Sequence, residues 1–228
     1  MFFRQLFEHE SNTYTYLLAD EKTKECLLID PVLETVERDK HIISELGFNL
    51  KYILETHVHA DHITSSFKLK KDFPTAKSVV HKDGGTECSD IFTNDNDVLE
   101  LGEYKVKIIS TPGHTSGCVS YYVEGMVFTG DALLIRGCGR TDFQQGSPEI
   151  LYHSVKEKLF TLPENTLVYP AHDYKGISCS SIYEEKNFNP RLGTKTKEEF
   201  IEIMNNLKLA NPKKIQESVP ANLKCGQV

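Results

Sequence analysis

Thr56-His57-Val58-His59-Ala60-Asp61-His62 places three imidazoles and one carboxylate within six residues, directly after the apolar run Tyr52-Ile53-Leu54. Imidazole and carboxylate are the ligands that zinc, iron and manganese share. A His pair at i, i+2 on extended backbone points to one side, and a following turn brings Asp61 and His62 round to it. The stretch predicts a metal site at the end of a buried strand.

Three further stretches have the same character. Ser110-Thr111-Pro112-Gly113-His114-Thr115-Ser116-Gly117 closes a β-rich run with a tight turn that presents one His. Phe128-Thr129-Gly130-Asp131-Ala132 closes the next with one carboxylate, and Val168-Tyr169-Pro170-Ala171-His172-Asp173 repeats the pattern with His. Four strand ends carrying His or Asp suggest ligands that converge on one edge of the sheets. The candidates are His57, His59, Asp61, His62, His114, Asp131 and His172. Counted alone, they would hold two metals with Asp131 bridging, which is a hydrolase pattern. His9, His41, His81 and His153 lack such neighbours and read as surface or core filler.

Around these motifs strands and helices interleave. Thr13 to Ala19, Cys26 to Ile29, Val79-Val80, Val98 to Leu101, Tyr104 to Ile109 and Thr166 to Tyr169 read as strands. Val119 to Val123 and Met126 to Thr129 form a hairpin about Glu124-Gly125. Val36 to Leu46 is a helix closed by Gly47, and Ile63 to Lys71 is a helix ended by Pro74. Ser147-Pro148 opens a helix with Leu151, Val155 and Leu159 on one face. Thr196 and Glu199 form a capping box ahead of Phe200, Ile203, Met204 and Leu207. The hairpins forbid an all-parallel sheet. The expectation is an α/β (α+β) chain of two mixed sheets packed together with helices outside, as a single domain over residues 1–228.

Composition narrows the function classes. A formal net charge of −7 argues against a nucleic-acid partner, which needs a basic footprint. No apolar run is long enough to span a membrane. The six Cys form no C-x-x-C pair and suggest no disulfide framework, so reduced thiols are expected. Glu8 and Glu10 follow the short apolar start at once, unlike an export or transit signal. The expected location is the cytoplasm, or the mitochondrial matrix for a processed eukaryotic form.

The series T-H-x-H-x-D-H, T-P-G-H-T-x-G, G-D and P-A-H resembles the metallo-β-lactamase fold signature over essentially the whole chain. That resemblance implies a four-layer αββα sandwich with metal between the two sheet edges. Residues 129–146, 171–176, 189–192 and 218–226 resemble, more narrowly, the persulfide dioxygenases (sulfur dioxygenases, the group of the ethylmalonic encephalopathy protein). Little chain follows Arg191 to build the helical substrate domain of a glyoxalase II thioesterase, the dinuclear alternative.

The family resemblance implies one Fe(II) per chain, held by His57, His114 and Asp131, with open positions for a persulfide sulfur and O2. His59, Asp61, His62 and His172 would then orient ligands and waters. The implied reaction takes glutathione persulfide, O2 and water to glutathione and sulfite. Tyr174 and Arg191 match glutathione-contacting positions. Arg140 and Asp142 read as a buried ion pair bracing the loop after Asp131, with Thr129 and Cys138 supporting the same loop. Cys138 is expected to be structural and not a nucleophile. A homodimer is an assembly that the sequence leaves open.

Overall fold

The computed structural model describes residues 1–212 and 214–228. Two six-stranded sheets face each other. The first runs β1 (Phe2–Glu8), β2 (Thr13–Ala19), β3 (Glu25–Ile29), β4 (Asn49–Leu54), β5 (Lys77–His81), β6 (Ile91–Thr93), in that spatial order. Its first three strands pair antiparallel and the rest parallel. The second holds β7 (Val98–Leu101), β8 (Tyr104–Ser110), β9 (Val119–Val123), β10 (Met126–Gly130), β11 (Leu167–Pro170) and β12 (Ser180–Ser181). Only β10 and β11 pair parallel there.

Every residue of β2 is buried, because both of its faces are covered. Tyr14, Tyr16 and Leu18 point inward to Tyr121, Phe128 and Tyr169 of the opposite sheet. Leu17 and Ala19 point outward to Val36 and Ile43 of α1 (Val36–Glu45) and Leu69 of α2 (Ser66–Asp72). On the far side, Val127 and Val168 meet helices α3 (Pro148–His153), α4 (Ile182–Phe188) and α5 (Lys197–Asn205) through Leu151, Ile182 and Phe200. The order of layers is αββα, as the resemblance implied. A last helix, α6 (Ile215–Asn222), crosses beside the loop that follows β4.

Local details depart from expectation where tertiary partners intervene. α3 does not run on as one α-helix: a π-helical turn (Ser154–Lys158) and a 3-10 turn (Leu159–Thr161) carry Val155 and Leu159 to the same core. α2 starts at Ser66, not Ile63, because the preceding backbone bonds elsewhere. Ile63 O accepts Leu33 N–H at 2.8 Å, and Ser65 N–H goes to Pro31 O at 2.9 Å. The thiols also differ from expectation. Cys88 and Cys225 form a disulfide across 137 residues, a pairing that local spacing cannot reveal. The remaining four cysteines are free.

α1 carries a buried carboxylate, Asp39, beside the Arg38 guanidinium at 2.8 Å. Burial pushes its carboxyl up to about 6, with Arg38 pulling the other way. The unfolded chain, near the ordinary 3.8, therefore binds fewer protons between these values. Stability should fall as pH rises through that window, by about 3 kcal/mol. Asp39→Asn should flatten the dependence of the urea midpoint on pH between ~4 and ~7. Equal slopes in the two proteins would refute this.

Candidate metal centre

The motif loops leave the ends of β3, β4, β8, β10 and β11 and meet along one edge of the sandwich. Two backbone bonds join the sheets there: Tyr14 N–H to Ala171 O at 2.8 Å and Val119 N–H to Thr56 O at 2.9 Å. Two buried tyrosines support the same strand ends. Tyr16 donates to Pro170 O at 2.6 Å and Tyr121 to Glu55 O at 2.8 Å. Buried phenols need such acceptors, and here the acceptors belong to the backbone that carries the site. Gly130 stands at φ 53° with Thr56 Oγ1 only 2.6 Å from where a Cβ would be, so no side chain fits between β10 and the His57 loop.

Hydrogen bonds fix which nitrogen each imidazole presents. Thr56 gives its hydroxyl proton to Asp30 Oδ2 at 2.8 Å, so it can only accept from His57 Nδ1, 3.0 Å away. His57 therefore turns a bare Nε2 to the cleft. Arg140 O, 2.6 Å from His114 Nδ1, can only accept, so His114 also presents a bare Nε2, 3.5 Å from Asp131 Oδ2. His172 donates Nδ1–H to Asn12 O at 3.3 Å, and its Nε2 lies 3.6 Å from both Asp61 Oδ2 and Asp131 Oδ1. His59 is reversed. Its Nε2 bonds Asp30 Oδ1 at 3.1 Å, and the buried Nδ1 has no partner. His62 bonds Asp61 Oδ2 through Nδ1 at 3.0 Å and leaves Nε2 buried without a partner.

The donor atoms fall into adjoining sets. His57, His114 and Asp131 converge within 4.8 Å of one another, and so do His59, Asp61 and His172. Burial holds His57 well below the usual imidazole range, with His59 and His114 adding to the effect. Burial opposes charge on His59 too, but the Asp30 carboxylate overrides it and raises that imidazole. His172 is raised against its burial by Asp131 and Asp61.

A cleft of about 520 Å³ opens over this floor, walled in part by Tyr174, Lys175, Arg191 and Leu209. Arg191 donates Nη1 to Cys138 O at 2.9 Å. Tyr174 is 71% exposed and stacks on His172 at 6.1 Å. Thr129 ties the loop after Asp131 by donating to Leu133 O at 2.6 Å. The Cys138 thiol is buried beside Met204, and burial pushes it up to about 11, so it carries a proton at neutral pH. Arg140 and Asp142 do pair, through Nε–Oδ1 at 2.6 Å and Nη2–Oδ2 at 2.8 Å. The pair is not buried as expected, since Asp142 is 60% exposed. Arg140 also reaches Ala210 O at 2.7 Å, so it fastens the cleft wall as well as its own loop.

Sequence reasoning missed several groups that hold the site. Asp30 orients both histidines: its Oδ1 accepts Thr56 N–H at 2.7 Å and meets His59 Nε2, while its Oδ2 holds the Thr56 hydroxyl that faces His57. It follows the run Cys26 to Ile29, the same strand-end pattern that singled out Asp131. Glu55 accepts from Thr64 Oγ1 and is raised by burial. Buried Glu185 receives Arg136 Nη1, the Arg136 N–H and Ser180 Oγ, clamping the loop after Asp131 to α4. Asn222 of α6 bonds three backbone groups of the His59–Thr64 segment. Asn222 lies in the stretch 218–226 that carries the family resemblance, but no spacing there points to these bonds.

Residues 10–172 match the metallo-beta-lactamase superfamily. With the αββα layers and the converging His and Asp donors, the chain belongs to that superfamily. "Persulfide dioxygenase ETHE1, mitochondrial" of Homo sapiens is 52% identical over 225 residues, covering 98% of this chain and 88% of the human one. The crystal structure of ETHE1 from Myxococcus xanthus covers all of both chains at a TM-score of 0.97 and 51% identity. "Hydroxyacylglutathione hydrolase cytoplasmic" of Arabidopsis thaliana is more distant, 36% identical over 77% of this chain and 70% of its own. Within the superfamily the chain belongs to the persulfide dioxygenase family. Among the described residues no helix is long and apolar enough to cross a membrane.

Proposed function

We propose that this protein oxidises glutathione persulfide with O2 and water to glutathione and sulfite, using one Fe(II) held by His57, His114 and Asp131. Likeness along almost the whole chain to persulfide dioxygenases carries this reading. The donor set fits a divalent cation. Asp131 Oδ1 is buried with no hydrogen bond, and the same carboxylate stands with one donor atom each of His57 and His114 within 4.8 Å of one another. A buried oxygen without a partner is costly, and a cation removes the cost.

Fe(II) held by these residues would supply open coordination positions and the electron transfer that O2 chemistry requires. The chain supplies charge balance, orientation and proton acceptors. One carboxylate among the three donors leaves a net charge of about +1, which a persulfide anion neutralises. Asp61 Oδ2 and His172 Nε2, 3.6 Å apart, take protons released by the water that provides the third oxygen. Asp30, through Thr56, keeps His57 in the tautomer that offers Nε2. Arg191 and Tyr174 bind the glutathione moiety. All of these residues come from one domain over residues 1–228 of one chain, so a homodimer is not needed to complete the site. The cytoplasm or the mitochondrial matrix would suit the substrate.

Elemental analysis after anaerobic purification tests the reading. About one iron per chain should be found, with zinc minor and O2 consumed when glutathione persulfide is added. Two tightly bound zincs with thioesterase activity would instead support the dinuclear glyoxalase II alternative. His59→Ala should keep much of its iron, with a loss of roughly 10–100-fold in affinity or activity. If it loses iron as completely as Asp131→Ala, His59 is a ligand and the three-residue set is wrong.

A further inference from the structure

The Cys88–Cys225 disulfide lies outside the chemistry described above, yet both of its ends lead back to the metal-binding loops. Cys225 follows α6, whose Asn222 accepts Thr64 N–H at 2.9 Å. The same amide donates to His59 O at 2.9 Å and His62 O at 2.8 Å. Cys225 O accepts Phe67 N–H at 3.0 Å, and a Cβ on Gly226 would lie 2.2 Å from Thr64 O. The C-terminal segment is thus seated on the loop that carries His57 to His62.

Cys88 belongs to the connection between β5 and β6. That connection touches the His114 loop: Ser116 donates to Asp83 O at 3.1 Å, and a Cβ on Gly117 would lie 2.3 Å from Gly84 Cα. The disulfide therefore ties the support of one ligand loop to the support of another. Between it and the histidines lies a cavity of about 20 Å³, lined in part by Cys225, Thr86, Asn222, His57 and His59. Thr86 Oγ1, buried there, has no partner. The cavity has room for about one water. Cys88 is exposed and Cys225 half-buried, so small thiols reach the bond.

We propose that the Cys88–Cys225 disulfide is a thiol-reducible clamp that holds α6 against the His57–His62 loop and so governs metal retention. A thiolate attacks one cystine sulfur, the S–S bond breaks, and the other cysteine leaves as thiolate. A second thiol then resolves the mixed disulfide. In sum, the cystine and two monothiols give two cysteine thiols and one small-molecule disulfide. The cystine is reduced and the monothiols are oxidised.

The test uses the metal-loaded protein before and after treatment with reduced glutathione. Alkylation under denaturing conditions should label four cysteines before and all six after. Reduction should lower Tm by about 5–15 °C. Amide exchange across residues 59–64 and metal release to a chelator should each accelerate roughly 10-fold. Cys88→Ser should show these properties without reductant and gain nothing more from it. Six labelled cysteines in untreated protein would show that no clamp exists. Reduced protein with unchanged exchange at residues 59–64 and unchanged metal release would show that the bond has no hold on the site. Either result overturns the proposal.

Discussion

Asp131→Asn protein purified without oxygen should contain almost no iron and lose persulfide oxidation by more than ~100-fold, beyond the usual cost of removing a group that merely orients a ligand. Asn keeps the shape of Asp131 but removes the only negative charge among His57, His114 and Asp131, which then offer three neutral donors. The fold should not suffer. The Asp131 backbone O accepts Gly139 N–H at 2.7 Å, a bond independent of the side chain. In the metal-free wild type, the buried Oδ1 has no hydrogen bond but lies 3.6 Å from His172 Nε2, an imidazole that Asp131 attracts when charged and so helps to raise. At a pH high enough to leave His172 uncharged that attraction is absent, so the substitution should leave the metal-free Tm nearly unchanged there. Metal content, activity and metal-free Tm together decide the matter. Full iron content would remove Asp131 from the ligand set. A lower metal-free Tm at that pH would mark Asp131 as a structural group whose loss is felt throughout the edge.

The candidate metal-site residues are legible in the sequence because each sits a few residues past a strand, where short-range spacing carries the information. His57, His59, Asp61 and His62 share one turn, and His114, Asp131 and His172 each stand on a loop with its own turn residues. Their supports were not legible, because they act across sequence. Asn222 reaches Thr64 across 158 residues, and Glu185 reaches Arg136 across 49. No local pattern encodes such a bond, and the Cys88–Cys225 pairing was invisible for the same reason. Among the elements, β1 is short and lies at the chain start, where its apolar residues alone do not distinguish a strand from the start of a targeting segment. Its pairing with β2 from Phe2↔Ala19 to Glu8↔Thr13 shows what they serve. α6 carries Pro220 in its interior, a residue that local propensity places outside helices, so its helical form is not legible from the sequence.

The cleft is also locally cationic in a chain of net charge −7, but most of its cations are already engaged. Arg136 is committed to Glu184 and Glu185, and Arg140 to Asp142 and Ala210 O. Lys175 forms no ion pair among the described residues, and its exposed amine is strongly hydrated. Arg191 is the guanidinium with donors to spare. Nη1 bonds Cys138 O, while Nη2 and Nε have no protein acceptor among the described residues.

Arg191→Ala should therefore raise KM for glutathione persulfide by about 10- to 150-fold. The guanidinium fork matches a carboxylate and stays charged at any working pH. A charge-assisted hydrogen bond of this kind contributes roughly 1.5–3 kcal/mol, and each ~1.4 kcal/mol is a factor of ten. The effect on kcat should be smaller, because a contact remote from the reacting sulfur is made in ground and transition states alike. Two features separate binding from bracing. Arg191 holds Cys138 O, so a purely structural role would disturb the loop between Asp131 and Arg140, and iron content would fall with it. Iron content should instead stay unchanged. A small persulfide lacking the glutathione carboxylates should lose little, since it has no contact with Arg191 to lose. Steady-state O2 uptake with the two substrates, alongside metal analysis of the same preparations, makes the comparison. Equal weakening of both substrates, or loss of iron, would assign Arg191 to the loop and leave the glutathione carboxylate to another cation, such as Lys175, which lines the cleft and forms no ion pair among the described residues.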